Sequence, residues 1–288
     1  MDRGTPIRVD RDAPSTTDTG RAVVELRGAT LAYGNRVLWH DLDLDLMPGE
    51  FVAVLGPNGS GKTSLLRVLL GQQRLTAGSV RVAGESPGHA NRRIGYVPQQ
   101  RALDTTVTMR GRDLVGLGWD GHRFGIGLSR LGERRRRVAE ALAAVGATGY
   151  ADTPVGLLSG GEQQRLRVAQ ALIGDPRLLL CDEPLLSLDL ANQQVVSRLI
   201  DERRRDSDTA VLFVTHEINP VLPMVDRVLY LVDGRFRIGT PEQVMTSSTL
   251  SGLYRTPVEV LRVRGQIHVV GAESGLCEDE PHHHLEGA

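Results

Sequence analysis

An eight-residue segment, Gly56–Thr63, has the residue types and spacing of a phosphate-binding loop. It reads Gly-Pro-Asn-Gly-Ser-Gly-Lys-Thr and fits the pattern G-x-x-x-x-G-K-[ST] at every fixed position. Its glycines let backbone N–H groups approach phosphate oxygens, and the start of the following helix adds partial positive charge. Lys62 brings a full charge to the outer phosphates, and the Thr63 hydroxyl can ligate Mg²⁺.

The elements on either side of this loop are those that a phosphate site requires. The apolar run 51–55 predicts a buried strand before the loop, and 64–70 predicts a helix that opens at Lys62. A simple glycine turn with Lys62 at the surface is the alternative. The predicted nucleotide-binding residues of this segment are Gly56, Pro57, Asn58, Gly59, Ser60, Gly61, Lys62, Thr63 and Ser64.

A second segment, Leu178–Pro184, places two acids after an apolar strand. In open α/β sheets, ligands bind at the carboxyl ends of the strands, so these acids can face the phosphate loop. Asp182 could hold Mg²⁺ through water beside Thr63, and Glu183 could orient or deprotonate an attacking water. A strand that ends in a solvated turn would look the same, but the phosphate loop earlier in the chain favours the catalytic interpretation.

A third segment, Leu158–Arg165, reads Leu-Ser-Gly-Gly-Glu-Gln-Gln-Arg. Ser159 can cap a helix that starts near Glu162, which leaves amide groups exposed at a second helix N-terminus. The chain would then carry two helix starts able to bind anions. A well-capped structural helix is the alternative.

The wider pattern predicts how these segments are positioned. Strands at 51–55, 178–181, 210–214 and 228–232 alternate with helices such as 192–205, which indicates a parallel sheet. Leu42, Leu44 and Leu46 alternate with aspartates and predict a half-exposed strand. The region from about 103 to 160 changes character and predicts a helical insertion, with helices at 105–117 and 130–145 around a glycine-rich loop at 116–127. A hairpin is expected from 258–263 and 266–270.

Composition limits the classes of function. The 288 residues contain 34 Lys plus Arg and 35 Asp plus Glu, a balance that gives no case for nucleic acid as a partner. The run Arg134–Arg137 could suggest a nucleic-acid patch, but it lies among acids in a helical pattern and predicts a solvated face or a partner contact instead. Two cysteines, Cys181 and Cys277, suggest no disulfide framework, and no signal or membrane-spanning pattern is expected. Residues 1–21 and 272–288 read as polar tails.

The order of these motifs resembles the nucleotide-binding subunit of ABC transporters. The resemblance covers about residues 22–240, and the segment Leu158–Arg165 is its most diagnostic part. It implies an α/β P-loop NTPase fold, that of an ABC-type ATPase, with a mainly parallel sheet, an N-terminal antiparallel β subdomain and the helical insertion. The nucleotide-binding domain would then span residues 22–271, and the cofactors would be ATP and Mg²⁺.

The resemblance also implies roles for further residues. Tyr33 would stack on adenine, Gln99 would sense Mg²⁺ and the attacking water, and His216 would lie near the γ-phosphate. Each has a simpler alternative, respectively a core aromatic, a strand-end amide (with Gln100 as a neighbouring candidate) and a capping histidine. In a head-to-tail dimer, one copy's signature segment would bind ATP held by the other copy. That segment comprises Ser159, Gly160, Gly161 and Glu162, and Asp189 would contact the opposite subunit.

Clues to the cargo are weaker. The stretch after Gln99, the loop 119–127 and the segment 254–260 resemble manganese- and zinc-type importers, and the tail histidines 282–284 could bind a divalent metal. The resemblance implies an integral membrane permease, an extracytoplasmic solute-binding protein and a peripheral place on the cytoplasmic face of the membrane. Other cargoes, such as a siderophore, an amino acid or an exported drug, stay open. A non-transport ABC protein is a further alternative.

Overall fold

A computed structural model of the chain describes residues 21–99, 107–120 and 131–271. The strands of the N-terminal part are β1 (Val24–Tyr33), β2 (Arg36–Leu46), β3 (Phe51–Leu55), β4 (Ala77–Val82) and β5 (Ile94–Val97). Those of the C-terminal part are β6 (Leu178–Asp182), β7 (Ala210–Val214), β8 (Arg227–Val232), β9 (Arg235–Gly239), β10 (Glu259–Val263) and β11 (Gln266–Val270). The helices are α1 (Lys62–Leu69), α2 (Gly111–Asp120), α3 (Leu131–Ala144), α4 (Gly160–Leu172), α5 (Leu190–Ser207), α6 (Pro241–Val244) and α7 (Ser247–Tyr254).

A six-stranded sheet in the order β5-β6-β7-β3-β8-β9 forms the centre of the molecule. Its first five strands run parallel, as the alternation of strands and helices predicts, and β9 pairs antiparallel with β8. Side chains on β6 and β7 alternate between two buried clusters on opposite faces; Leu180 and Leu212 lie on one face, and Leu179 and Phe213 on the other. Both faces of this sheet are therefore buried, and the polar side chains at and after Asp182 lie at its carboxyl edge.

A three-stranded antiparallel sheet, β2-β1-β4, packs beside the parallel sheet. The alternating leucines of β2 are buried, as their period of two predicts, whereas the aspartates between them are not. Helix α1 lies in the same apolar cluster through Leu65, Leu66 and Leu69. This packing places the β1–β2 turn next to the phosphate loop. The mainly parallel α/β fold with an antiparallel N-terminal sheet is therefore confirmed.

The first helix of the insertion begins later and ends later than the sequence predicts. Residues 107–110 are not helical, because their backbone pairs with residues 154–156; the amide of Val155, for example, donates to Met109 O. Helix α2 then continues through Gly116 and Gly118 into the region predicted as loop. A Cβ on Gly118 would lie 2.0 Å from Gln170 O, so this glycine allows α2 to pack closely on α4. The rest of the predicted loop lies outside the described residues.

The C-terminal part contains three elements that the sequence pattern missed, β9, α6 and α7, and a hairpin that it predicted. Strand β9 continues the chain directly after the turn at Asp233 and Gly234, and it forms the antiparallel edge of the main sheet. Strands β10 and β11 pair antiparallel and form the expected hairpin. Within the described ranges, no helix is both long enough and apolar enough to cross a membrane. The predicted tails 1–20 and 272–288 lie outside the described residues.

Candidate functional site

The phosphate loop lies between β3 and α1 in the arrangement that its sequence predicts. Its backbone turns sharply at Gly56, which has a φ of +138°. A Cβ at this position would lie 2.0 Å from Leu231 O, so a larger residue would displace β8. Ser60 and Lys62 are buried at the base of the loop. The loop is therefore fixed to the sheet before any ligand is bound.

Lys62 is a buried cation held inside the loop. Its side chain is 5% exposed, and Nζ donates to Gly56 O at 2.7 Å and to Pro57 O at 3.0 Å. Burial lowers the pKa of this amine, whereas the nearby carboxylates of Glu183 and Asp182 act in the opposite direction. Because the surrounding medium is poorly polarisable, the ammonium will interact strongly with an incoming anion.

Asp182 and Thr63 meet across the junction of β6 and α1. The Thr63 hydroxyl donates to Asp182 Oδ1 at 3.2 Å, and the Tyr96 hydroxyl lies 3.5 Å from Asp182 Oδ2. Burial raises the pKa of the Asp182 carboxyl, and the hydrogen bond from Thr63 counteracts that rise. The two residues predicted to hold Mg²⁺ are therefore adjacent.

Glu183 is the centre of a second cluster at the same edge. Gln99 Nε2 donates to Glu183 Oε2 at 3.0 Å, and His216 Nε2 contacts Glu183 Oε1. The backbone of Glu183 has a φ of +48°, which non-glycine residues rarely adopt and which costs about 1–3 kcal/mol. The amide of Glu183 donates to Val214 O at 3.0 Å, which holds the residue in this conformation. The three residues predicted to be catalytic thus form one contiguous group.

An open cleft of about 740 Å³ joins the loop to the Glu183 cluster. Ten of the predicted site residues line it: Tyr33, Asn58, Gly59, Gly61, Lys62, Thr63, Ser64, Gln99, Glu183 and His216. Tyr33 is 46% exposed, so the alternative of a core aromatic is excluded and a free ring face remains available. The other predicted residues of this half, Gly56, Pro57, Ser60 and Asp182, belong to the loop or lie beneath it.

The cleft is also lined by three residues that the motifs did not identify, namely Arg36, Leu38 and Leu186. Arg36 Nη2 donates to Gly59 O at 3.0 Å. Arg36 and Tyr33 face one another across the β1–β2 turn. This pairing is the signal that could have identified Arg36, because a residue that lies opposite a site residue in a hairpin is close to the same site.

The signature segment forms a separate structure on the surface. Ser159 caps α4, as predicted, and Glu162 completes a capping box: the amide and hydroxyl of Ser159 each donate to Glu162 Oε2 at 2.8 Å, and the Glu162 amide donates to Ser159 Oγ at 3.3 Å. Ser159 and Gly160 are exposed. Among the residues that the structure describes, Ser159, Gly160, Gly161 and Glu162 are absent from the lining of the nucleotide cleft.

Asp189 caps the next helix and connects it to the signature segment. Its carboxylate accepts from the Asn192 amide at 2.8 Å and from Asn192 Nδ2 at 3.1 Å. A Cβ on Gly161 would lie 2.4 Å from the side chain of Asn192. Asp189 therefore fixes the position of a side chain that packs directly on the start of α4. Like Gly161, it does not line the cleft formed by described residues.

The residues around Thr63 fit a Mg²⁺ ion that is held mainly by a nucleotide and water. Mg²⁺ prefers oxygen ligands and keeps several waters, so one carboxylate and one hydroxyl are a sufficient contribution from the protein. Asp182 and Thr63 supply these groups. Gln99 is bonded to Glu183, the residue that follows Asp182 in the chain. Across the described ranges no group of three or more His, Cys, Asp or Glu side chains could form a metal cage without such a ligand.

Comparisons with known proteins agree with this geometry. The family model described as ABC transporter matches residues 39–186. Over 224 residues the chain is 37% identical to the zinc import ATP-binding protein ZnuC of Yersinia enterocolitica; the match covers 78% of this chain and 82% of that protein. The family model spans the phosphate loop, the signature segment and the acidic pair, and the identity to ZnuC supports the predicted resemblance to metal-importer ATPases.

Solved structures lead to the same family. One is of an ABC transporter assigned to the metal-chelate type, in an inward-facing conformation, with a TM-score of 0.73 and 28% identity; the match covers 86% of this chain and 96% of that chain. Another is the dimeric ATP-binding cassette MJ0796 bound to ADP and Pi in a post-hydrolysis state, with a TM-score of 0.63 and 29% identity over 75% and 98% of the two chains. The chain therefore belongs to the ABC transporter family, as one of its ATP-hydrolysing cassettes.

Proposed function

We propose that this chain powers the uptake of a divalent metal, zinc in the first place, through a separate membrane permease. The observation that carries the proposal is the continuous site from Lys62 through Asp182 to Glu183, in a chain 37% identical to a zinc import ATP-binding protein. The site supplies ATP hydrolysis, and the relative supplies the cargo. Manganese is the nearest alternative that the sequence resemblance offers.

The cleft residues divide the work of hydrolysis. Tyr33 stacks on the adenine, and the loop amides together with Lys62 bind the phosphates. Glu183 orients the attacking water and accepts its proton, with Gln99 and His216 holding the carboxylate in place through the contacts described above. His216 also lies beside the position of the outer phosphate. The strained backbone of Glu183 aims its side chain into the cleft rather than along the strand.

Mg²⁺ is the second component that the site requires. Thr63 and Asp182 would hold it, the latter through water, and Gln99 would contact its hydration shell. When bound, the ion would supply positive charge that neutralises part of the charge on the phosphates. The carboxylate of Asp182 suits this role because burial raises its pKa, and a bound cation would stabilise its charged form.

The signature segment completes the nucleotide site of a second copy. Its exposed helix start offers partial positive charge and the Ser159 hydroxyl to an anion, and within this chain it lies away from the cleft. A head-to-tail dimer brings each segment to the partner's cleft, so that Ser159, Gly160 and Gly161 contact the phosphates there and Glu162 holds the serine in position. Asp189 supports this contact through Asn192. ATP binding then closes the dimer and hydrolysis opens it.

The cassette works at the cytoplasmic face of the membrane as a peripheral subunit. Its partners are a second cassette, identical or related, an integral membrane permease and an extracytoplasmic solute-binding protein that delivers the metal. The structural neighbour of the metal-chelate type, which covers 86% of this chain, supports a permease partner. The near balance of charge in the chain gives no support for a nucleic-acid partner.

Reconstitution with the permease encoded nearest to this gene tests the proposal. Proteoliposomes that contain both subunits should take up zinc only with ATP and Mg²⁺ and with the solute-binding protein present. Vesicles that carry the Glu183→Gln variant are the matched control and should take up none. Uptake of manganese but not zinc would change the cargo, and ATP-dependent export would contradict the direction. If the purified chain failed to hydrolyse ATP, the catalytic assignment would be wrong.

A further inference from the structure

Arg36 occupies a position in the nucleotide cleft that no motif explains. It is the first residue of β2, it is exposed, and it lines the cleft. The cleft contains one other side chain with a permanent positive charge, Lys62, among the described residues. The two cations bond to different carbonyl groups of the loop: the buried Lys62 bonds to Gly56 O and Pro57 O, and the exposed Arg36 bonds to Gly59 O from the solvent side.

The backbone of Arg36 is fixed in place by its surroundings. Arg36 pairs with Tyr33 across the short turn between β1 and β2. Three residues further along the same strand, Trp39 is fully buried, and a Cβ on Gly61 would lie 2.9 Å from its Nε1 atom. The start of β2 is therefore anchored directly to the phosphate loop. An anchored backbone limits the distance that the guanidinium must travel to reach a ligand.

The guanidinium itself has donors to spare. In the part of the chain that the structure describes, its hydrogen bond is the one from Nη2 to Gly59 O, and no carboxylate forms an ion pair with it. A guanidinium carries five N–H donors in a planar fork that suits phosphate oxygens. The acidic side chain in the cleft, Glu183, is already in contact with Gln99 and His216. An arginine that has spare N–H donors and lines an anion site can use those donors to bind the anion.

We infer that Arg36 binds the phosphate chain of the nucleotide from the outer side of the loop. The inference rests on the proposed nucleotide site. Since Arg36 lies opposite Tyr33 in the hairpin, its contact falls on the part of the phosphate chain nearest the base. Arg36 and Lys62 then hold the phosphates between them. Because Arg36 belongs to the antiparallel sheet, its contact also couples that sheet to the loop when nucleotide binds.

The test compares two variants, Arg36→Gln and Arg36→Lys, in the full chain. Dissociation constants are measured for ATP, ADP and adenosine, with adenosine read by displacement of a fluorescent ADP analogue. Arg36→Gln should weaken ATP and ADP about tenfold, the effect of one charge-assisted hydrogen bond, and leave adenosine unchanged. Arg36→Lys should recover part of the loss. The affinity of the Gln variant for ATP should also depend less on salt concentration, because one ionic contact is gone.

The control is Arg81→Gln, an exposed arginine on β4 that does not line the cleft. It removes the same charge and should leave all three constants unchanged. If Arg36→Gln bound ATP as tightly as the parent, or if it weakened adenosine as much as ATP, the inference would be overturned; the second result would indicate a displaced Tyr33. A parent chain that bound no ATP would instead contradict the proposed nucleotide site, so the two failures are distinguishable.

Discussion

The N-termini of helices α1 and α4 differ in how many other groups of the protein surround them. The start of α1 has a buried lysine, a loop fixed to the sheet, and two acids at the adjoining edge. The start of α4 has an exposed serine that bonds to Glu162 of the same helix, and among the described residues it does not line the nucleotide cleft. We propose that the first is half of a catalytic site whose groups meet at one edge of the sheet, and that the second is a contact surface for a ligand held by another copy of the chain.

This difference separates the groups that carry out the reaction from the groups that contact a partner. Groups that carry charge through the reaction are buried and held by several contacts, because a preorganised and dry environment strengthens their electrostatic effect. Groups that must engage and release a partner are exposed and held by local hydrogen bonds alone. Substitutions in the two regions should therefore fail in different ways, the first in chemistry or nucleotide affinity and the second in assembly.

The largest effect is expected from Glu183→Gln. Removal of the group that accepts the proton of water should lower the hydrolysis rate by about 10³-fold. The glutamine side chain has nearly the same shape as glutamate, so its contacts with Gln99 and His216 should be kept. Nucleotide affinity should change little. Single-turnover hydrolysis measures the rate, and equilibrium titration measures the affinity. Glu202→Gln, on the exposed side of α5, is the matched control and should hydrolyse ATP like the parent. A hydrolysis rate for Glu183→Gln close to that of the parent would remove Glu183 from its assigned role.

A smaller loss is expected from Lys62→Ala. The charged hydrogen bonds of this lysine to phosphate are worth about 1.5–3 kcal/mol, so ATP affinity should fall by roughly 100-fold. Calorimetric titration with ATP and ADP provides the measurement. The signature segment should be unaffected, and circular dichroism at the helix band should match that of the parent. An unchanged affinity for both nucleotides would show that the loop binds through its backbone alone.

The smallest effect is expected from Ser159→Ala. Loss of the helix cap should cost about 1 kcal/mol of stability and lower the melting temperature by roughly 2–4 °C. ATP affinity of the isolated chain should stay within error, because Ser159 lies away from the cleft. Ser159→Asn is the control, since asparagine keeps the cap and should keep the melting temperature. Weaker ATP binding by the isolated Ala variant would mean that the two regions are not independent.

The sequence predicted the contiguous parts of the site well. The phosphate loop, the acidic pair and the cap at Ser159 each lie within one short segment, so local geometry follows from residue type and spacing. The fold class followed from the alternation of buried strands with helices. The hydrogen bond from Thr63 to Asp182 joins residues far apart in the sequence, but it was expected because the loop after β3 and the end of β6 lie at the same carboxyl edge of the sheet.

What the sequence could not predict depends on packing between distant segments. Leu186 enters the cleft through the position of a loop that no distinctive sequence pattern marks, whereas Arg36 had the one signal of its place opposite Tyr33 in a hairpin. The late start of α2 follows from backbone pairing between residues 107–112 and 151–156, a contact that helical propensity does not register. Its late end follows from Gly118, because a glycine that usually indicates a loop here permits close packing of two helices.

The central claim is that the site of one copy is completed by the signature segment of another. Glu183→Gln and Ser159→Glu should each be inactive in hydrolysis, the first in chemistry and the second through repulsion of phosphate. Mixed in equal amounts before ATP is added, they should form dimers in which one composite site is intact. Random pairing predicts recovery of roughly a quarter of the parent activity. Activity no greater than the sum of the two variants alone would contradict the claim.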